Sequence, residues 1–185
     1  MRVAVVGATG AVGTVMRQKL RERGFPASEI VPFASERSAG KQLDDGTTVR
    51  PLADDTIEGF DLALFSAGAS TSRAWARKFV DAGAVVIDNS SAFRRDPEVP
   101  LVVAEVNPDA LHEHKGLIAN PNCSTMQLMV ALKPIYDAAG IDRLIVSTYQ
   151  SVSGTGAKAV RELEEQTRAA LNGDALPEPQ VYPHP

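Results

Sequence analysis

The chain has 185 residues, with 19 lysines and arginines against 23 aspartates and glutamates, so its formal charge at pH 7 is −4. Hydrophobic residues make up 44% and charged residues 23%, which is typical of a globular protein. Lys and Arg are spread thinly, and no apolar run approaches the ~20 residues of a membrane helix. We therefore expect no nucleic-acid partner and no membrane span. Because no secretory signal begins the sequence, we expect a cytoplasmic protein.

Short β-branched runs alternate with amphipathic segments along the first half of the chain. Strands are predicted at residues 3–6, 30–34, 62–66 and 85–88. Helices are predicted at residues 11–23, with Val12, Val15, Met16 and Leu20 on the inner face and Gly24 as the stop, and at residues 71–82, with a Ser/Thr-rich cap and a stop at Gly83. Alternation of this kind, with strands apolar on both faces, predicts an α/β fold with a doubly wound parallel sheet.

The second half continues with shorter and less regular patterns. Strands are predicted at residues 101–103, 117–119 and 144–149, and helices at residues 124–139 and 157–171. Four prolines between positions 177 and 185 exclude regular structure after the last helix. Because the chain ends in this extended segment, we expect the second domain to be incomplete.

A glycine-rich segment follows the first strand directly, with Gly7, Gly10 and Gly13 at a spacing of three. Gly7 would permit a tight turn, Gly10 would let the backbone approach a pyrophosphate, and Gly13 would let the helix pack close to the strand. The helix N-terminus would face the negative charge of the pyrophosphate. Such glycines also occur in turns without a ligand, but the order of strand, motif, helix and strand favours a dinucleotide site of Rossmann type.

The residues after the second strand bear on the choice of cofactor. Glu36 could accept a hydrogen bond from the ribose 2′-hydroxyl of NAD, whereas Arg37 and Ser38 could bind the 2′-phosphate of NADP. Either charged side chain could instead be solvated without a ligand. We favour NADP because Arg37 is flanked by hydroxyl side chains.

Cys123 is the one cysteine of the chain and falls at the predicted start of a helix, in the segment Asn-Pro-Asn-Cys-Ser-Thr of residues 120–125. The unpaired N–H groups at a helix N-terminus stabilise a thiolate, so Cys123 is a candidate nucleophile. The alternative is a small residue packed beneath the helix, which its polar neighbours disfavour. A lone cysteine forms no internal disulfide and anchors no metal cluster, so we expect no metal site.

Arg94 follows the strand at residues 85–88, and ligand-binding loops of open α/β sheets follow strand ends. Its guanidinium could hold an anion through two hydrogen bonds, or it could be a surface arginine. A thiolate beside a nicotinamide suggests a thiohemiacetal that loses hydride to become a thioester, which phosphate then attacks.

Six segments in this order resemble the N-terminal part of the aspartate-semialdehyde dehydrogenase family, and the resemblance runs over essentially the whole chain. The segments are residues 6–13, 34–40, 65–68, 88–94, 120–125 and 149–154. The resemblance implies a Rossmann-type NADP-binding domain over residues 1–121 and the start of a mixed α/β catalytic and dimerisation domain over residues 122–185. A related family, the N-acetyl-glutamyl-phosphate reductases, usually has Pro-His-Gly where this chain has Ser66-Ala67-Gly68.

The resemblance also implies a reaction: NADPH-dependent reductive dephosphorylation of 4-phosphoaspartate to aspartate 4-semialdehyde, in the biosynthesis of lysine through diaminopimelate, and of threonine and methionine. Cys123 would be the acyl-thioester nucleophile, Gln150 would hold the substrate, and Arg94 with Asn122 would bind phosphate. The residues implied to contact NADP, beyond Gly7 and Gly13 of the glycine motif, are Thr9, Gly10, Ala11, Val12, Arg37, Ser38, Ser66, Ala67, Gly68, Ser153 and Gly154.

Family members are longer than this chain, and their acid/base histidine, a substrate-binding arginine and a phosphate-binding lysine would lie beyond residue 185. We assign no catalytic role to the three histidines present, His112, His114 and His184. We therefore expect a chain that binds NADP with little or no turnover alone and forms a homodimer in the full-length protein. The alternative is a non-catalytic nucleotide-binding chain.

Overall fold

The computed structural model describes residues 1–183, and its first compact unit is Met1–Leu144. Six strands of this unit form one sheet in the order β3-β2-β1-β4-β5-β6, and every strand pair is parallel. The strands are β1 (Arg2–Val6), β2 (Glu29–Ala34), β3 (Arg50–Pro51), β4 (Leu62–Phe65), β5 (Val85–Asp88) and β6 (Leu117–Ala119). Strand order reverses between β1 and β4, which confirms the predicted doubly wound sheet of Rossmann type.

The sheet is covered on both faces, as its apolar strands predict. Along β1, Val3 and Val5 point to one face and pack near Met16 and Leu20, while Ala4 and Val6 point to the other. That second face holds four phenylalanine rings in mutual contact, three of the pairs edge-on. The rings are those of Phe33, Phe60, Phe65 and Phe79. Aromatic packing of this kind fixes the sheet against helix α2 (Ala69–Asp81).

Helix α1 (Ala11–Glu22) lies where the sequence predicts it, but its inner face is different. Val12 and Val15, expected to be buried, are 47% and 50% exposed. Gly13 and Arg17 are buried instead, with Met16 and Leu20 beside them. The apolar pattern gave the wrong rotation because backbone contact at Gly13 brings that side of the helix against β1.

Arg17 is the buried cation of α1, and its guanidinium pairs with Asp45 in the loop that follows β2. Arg21, one turn further along, pairs with the same carboxylate. Burial lowers the pKa of Arg17, and the nearby charge of Asp44 partly offsets that effect. The ion pairs tie the last turns of α1 to Asp45, so a buried cation joins Met16 and Leu20 on the inner face of the helix.

Helix α2 starts earlier than predicted and without the expected hydroxyl cap. Gly68, at φ +84°, is the N-cap residue and no side chain caps the helix. Ser72, expected near the cap, is fully buried in the second turn, where its hydroxyl donates to Asp88. The hydroxyl is therefore used to hold β5 rather than the helix end.

Two predicted strands do not form. Residues 101–103 contribute a single isolated bridge, between Leu101 and Ala119, and residues 144–149 are irregular. Ile145 and Tyr149 in the latter segment are 79% and 101% exposed. A strand needs a hydrogen-bonded neighbour, and none is present for residues 144–149 within the described part of the chain.

Helix α3 (Cys123–Ala139) closes the first unit, and no residue of it is buried in this structure. Its predicted extent of residues 124–139 is confirmed to within one residue. Over residues 1–183, no helix has both the length and the apolar character needed to cross a bilayer.

The second unit begins at Ile145 and contains helix α4 (Ala157–Asn172), as predicted, which ends at Gly173 in the left-handed conformation. The buried carboxylate of Glu162 accepts backbone N–H groups of three consecutive residues in the Pro-rich segment that follows. The donors are Gln180 at 2.6 Å, Val181 at 2.8 Å and Tyr182 at 3.1 Å. The Glu162 side chain therefore holds three residues of an otherwise irregular segment to the helix.

This attachment is expected to weaken in acid. Burial of the Glu162 carboxylate raises its pKa, but the three backbone hydrogen bonds outweigh burial and leave the pKa below its usual value. A lowered folded-state pKa gives stability that is complete above the ordinary glutamate pKa and is lost as the pH falls through the lowered one. We expect the amide hydrogens of Gln180 and Val181 to lose protection at that acidic pH, measured relative to the intrinsic exchange rate at the same pH, and to lose it already at neutral pH in Glu162→Gln. Exchange that is unchanged in Glu162→Gln, or equally accelerated in the exposed control Glu164→Gln, would contradict this.

Candidate active site

The glycine loop after β1 is shaped by the strands on either side of it. Gly7 has φ +88°, and the N–H groups of Gly7 and Ala8 both donate to the carbonyl of Phe33, at 2.9 and 3.0 Å. A Cβ on Gly7 would lie 2.4 Å from the carbonyl oxygen of Ser66. Only glycine fits this turn between β2 and β4.

The start of α1 leaves room for a ligand. A Cβ on Gly13 would lie 2.2 Å from the carbonyl oxygen of Gly7, so the close packing predicted for Gly13 is present. Gly10 is the N-cap residue, and no side chain caps the helix. The exposed residues of this segment are Thr9, Gly10, Ala11 and Val12. Their position at an uncapped helix N-terminus fits the pyrophosphate of a dinucleotide.

The other predicted cofactor residues of the first unit lie at the same edge of the sheet. Arg37 and Ser38 belong to a short 3₁₀ turn directly after β2, where Glu36 and Arg37 are exposed and form no ion pair within residues 1–183. Ser66 and Ala67, both half-buried, follow β4 and lead into Gly68. Carboxyl ends of parallel strands meet at one edge, so β1, β2 and β4 bring these three segments together.

Asp88, at the end of β5, anchors the loop that carries Arg94. It is fully buried, and its carboxylate accepts the Ser72 hydroxyl at 2.7 Å, the Ser90 hydroxyl at 2.7 Å and the Ser90 N–H at 3.0 Å. The sequence motif at residues 88–94 does not by itself indicate these roles of Asp88, Ser72 and Ser90. An acidic residue that ends an apolar strand run is the signal that could have pointed to them.

Arg94 is half-buried and spans the ends of two strands. Its Nε donates to the Asn120 carbonyl at 2.9 Å, and its Nη2 donates to the Asn89 carbonyl at 2.8 Å. The other guanidinium N–H groups make no hydrogen bond within the described part of the chain. The Arg94 guanidinium is therefore fixed by two hydrogen bonds and keeps other N–H donors available for a ligand. It lies next to the segment that leads to Cys123.

Cys123 is exposed and is the first residue of α3, as its sequence neighbours predict. Asn122 is the N-cap residue, and its side-chain oxygen accepts the Ser124 N–H at 3.0 Å. The Cys123 Sγ lies 4.0 Å from the same oxygen. The cap occupies only the side-chain oxygen of Asn122. The amide N–H groups of Asn122 stay free and could donate to an anion.

The remaining predicted site residues lie in the second unit. Gln150 is exposed, and its Nε2 is 3.4 Å from the Thr148 hydroxyl. Ser153 and Gly154 lie in a 3₁₀ turn, Val152–Thr155, whose N-cap is Ser151. Their roles toward substrate and cofactor stay predictions.

Neither of the two histidines in the described residues 1–183 makes a hydrogen bond to the Cys123 thiol. His112 is exposed, and His114 accepts the Gly116 N–H at its Nδ1, at 3.0 Å. His184 lies outside the described residues. Within residues 1–183, no three side chains of His, Cys, Asp or Glu are grouped closely enough to hold a metal ion.

Comparison with protein-family models agrees with this arrangement. Residues 2–114 match the NAD-binding domain of semialdehyde dehydrogenases, and residues 132–185 match the semialdehyde dehydrogenase dimerisation domain. The chain belongs to the semialdehyde dehydrogenase family. Two domain models in this order also agree with a Rossmann-type domain followed by the start of a dimerisation domain.

Several semialdehyde dehydrogenases are close in sequence. The aspartate-semialdehyde dehydrogenase of Aquifex aeolicus (strain VF5) is 57% identical over 189 residues, which covers 99% of this chain and 56% of that protein. The enzyme of the same name from Streptomyces akiyoshiensis is 54% identical, over 100% of this chain and 58% of the relative. This chain thus spans a little over half the length of these curated relatives.

Solved structures of the family are similar in fold. Aspartate semialdehyde dehydrogenase II of Vibrio cholerae, in complex with ASA, has a TM-score of 0.89 and 50% identity, over 99% of this chain and 56% of that chain. The Candida albicans enzyme with NADP has a TM-score of 0.60 and 27% identity, over 76% of this chain and 48% of that chain.

Proposed function

We propose that this chain supplies the cofactor-binding part and the nucleophile of an aspartate-semialdehyde dehydrogenase, which reduces 4-phosphoaspartate to aspartate 4-semialdehyde with NADPH. The observation that carries the proposal is the exposed Cys123 at the N-terminus of α3, in the same compact unit as the glycine loop. The names of its close relatives support the substrate. In the full-length protein, the dimerisation domain supports a homodimer.

The cofactor would be held by backbone and side chains of the first unit. Free N–H groups in the first turn of α1 would bind the pyrophosphate, and Arg37 with Ser38 would bind the 2′-phosphate of NADP. Ser66, Ala67 and Gly68 would line the adenosine side, and Ser153 with Gly154 would contact the nicotinamide end. When bound, NADPH supplies the hydride that reduces the acyl group.

Cys123 would act by covalent catalysis. Its Sγ attacks the acyl carbon of 4-phosphoaspartate, a C–S bond forms, the C–O bond to phosphate breaks, and inorganic phosphate leaves. Arg94 and the Asn122 amide would hold that phosphate, while Gln150 would hold the aspartyl group. After reduction, the C–S bond breaks, and the sulfur is released as thiolate with the aldehyde product. Acylation of Cys123 by 4-phosphoaspartate is the experiment that tests this function.

Turnover by this chain alone is expected to be low. Within residues 1–183, the one hydrogen-bond partner of the Cys123 sulfur is the Asn122 side-chain oxygen, and an amide does not serve as an acid or a base near neutral pH. General acid/base catalysis is worth about 10²–10⁴ in rate. We propose that the chain binds cofactor and is acylated, but cycles slowly.

Arg37 provides a test of the cofactor. Its side chain is exposed directly after β2, and we propose that it binds the 2′-phosphate of NADP. Arg37→Ala should therefore weaken NADP⁺ binding by roughly tenfold and leave NAD⁺ binding nearly unchanged. Binding of both nucleotides can be measured by isothermal titration calorimetry. The control is Arg73→Ala, which removes an exposed arginine elsewhere in the first unit, on α2. Equal losses for both nucleotides, or no loss for NADP⁺, would argue against NADP selection by Arg37.

A further inference from the structure

Asn89 and Asn120, to which the sequence analysis assigns no role, join the ends of β5 and β6. The Asn120 side-chain amide donates to the Asn89 side-chain oxygen at 2.6 Å, across 31 positions of sequence. The backbone of each is also fixed: Asn89 N–H donates to Phe65 O at 3.0 Å, and Asn120 N–H donates to Asp88 O at 2.9 Å. Both side chains are half-buried at the edge of the sheet that carries Cys123.

The same two residues hold Arg94. The carbonyl of Asn89 accepts from Nη2 and the carbonyl of Asn120 accepts from Nε. Hydrogen bonds therefore close a ring: from the guanidinium to the Asn89 backbone, through the paired side chains to the Asn120 backbone, and back to the guanidinium. Both bonds use one edge of the guanidinium, which leaves Nη1 free to bind an anion.

We propose that Asn89 and Asn120 are positioning residues that act through Arg94. A guanidinium makes two hydrogen bonds from one edge only if its two acceptors are at a matching separation. The backbone bonds place the two asparagines at neighbouring strand ends, and the side-chain bond between them would hold their carbonyls at that separation. Without the pair, the long Arg94 side chain gains rotamers in which its free N–H groups no longer face the anion site. The role as an aid to phosphate binding rests on the proposed function.

The competing explanation is that the Asn89–Asn120 bond is a structural staple, meaning a bond that only joins the two strand ends. The two explanations predict different effects of removing the bond. Loss of a staple would lower the stability of the unit without a selective effect on Arg94 or on anions. Asn107 is a control asparagine with a structural role in one loop: its side chain accepts the Val103 N–H at 2.9 Å and donates to the Leu101 carbonyl at 3.0 Å, and it makes no bond to Arg94.

The test compares Asn120→Ala, Arg94→Ala, the double variant and the control Asn107→Ala in two measurements. The first is hydrogen exchange of the Arg94 Nε–H by NMR, which does not depend on the proposed function. The second is protection of Cys123 from iodoacetamide by inorganic phosphate, which the single cysteine makes unambiguous. Melting temperatures show that each variant is folded, and Asn89→Ala replaces Asn120→Ala if the latter is not.

We expect faster Nε–H exchange and roughly tenfold weaker phosphate protection in Asn120→Ala, the scale of one hydrogen bond to a charged group. Asn107→Ala should match the wild type, and Asn120→Ala should add nothing in the Arg94→Ala background. Unchanged Nε–H exchange in a folded Asn120→Ala would overturn the positioning role. Absence of phosphate protection in the wild type, with Nε–H exchange accelerated in Asn120→Ala, would instead overturn the proposed anion site while the hold on Arg94 stands.

Discussion

Gly13→Val is expected to destabilise the first unit by about 3 kcal/mol, to lower its melting temperature by roughly 10 °C, and to weaken NADP⁺ binding at least tenfold. A Cβ at this position would lie 2.2 Å from the Gly7 carbonyl oxygen and 2.8 Å from the Ala8 Cα. Both neighbours are backbone atoms, so no side chain can swing away. Helix α1 must instead move off β1, and its uncapped N-terminus would move with it.

Gly10→Ala is the matched variant that separates folding from binding. Gly10 has φ −77°, and its added Cβ would meet only the Gly7 carbonyl oxygen, at 3.3 Å. The fold should accept this methyl group with little change in melting temperature. The methyl group would, however, occupy the surface proposed for the pyrophosphate, so NADP⁺ binding should weaken. A Gly13→Val protein with wild-type melting temperature and affinity would contradict the packing on which the site is built.

The sheet was predictable because its strands are apolar runs with short, local signals. Helix rotation was not, because the pattern of Val12 and Val15 favours burial while a backbone contact at Gly13 decides the orientation. β3 has only two residues, Arg50 and Pro51, and leaves no pattern to detect. Residues 144–149 have strand-like composition, but composition cannot supply a pairing partner.

Some features of the candidate site could likewise be predicted from the sequence, and others could not. The position of Cys123 at the start of a helix could be predicted because the polar segment of residues 120–125 between a strand and a helical pattern is a local signal. The bond between Asn89 and Asn120 joins residues 31 positions apart, and it appears only when β5 and β6 pair. Local chemistry was therefore readable from the sequence, whereas the network that holds Arg94 required the fold.

Cys123 is expected to be acylated by 4-phosphoaspartate in the absence of cofactor, with release of one inorganic phosphate per acyl group. The sulfur is exposed at the N-terminus of α3, where an acyl phosphate can reach it. Arg94 lies near the segment that leads to Cys123, and its free N–H donors would bind the leaving phosphate. Steady-state reduction by NADPH should stay about 10²-fold or more below that of an enzyme with an acid/base group at the thiol, because no acid or base is hydrogen-bonded to the sulfur within residues 1–183.

Intact-mass spectrometry after incubation with 4-phosphoaspartate tests the central claim most directly. The chain is expected to gain the mass of one aspartyl group, on Cys123, and to lose it on treatment with hydroxylamine, as a thioester does. Cys123→Ser is the control and should gain no hydroxylamine-labile mass under the same conditions. A wild-type chain that binds NADP⁺ but gains no mass at Cys123 would contradict the role of Cys123 as the nucleophile. The protein would then be a nucleotide-binding protein that does not form the thioester.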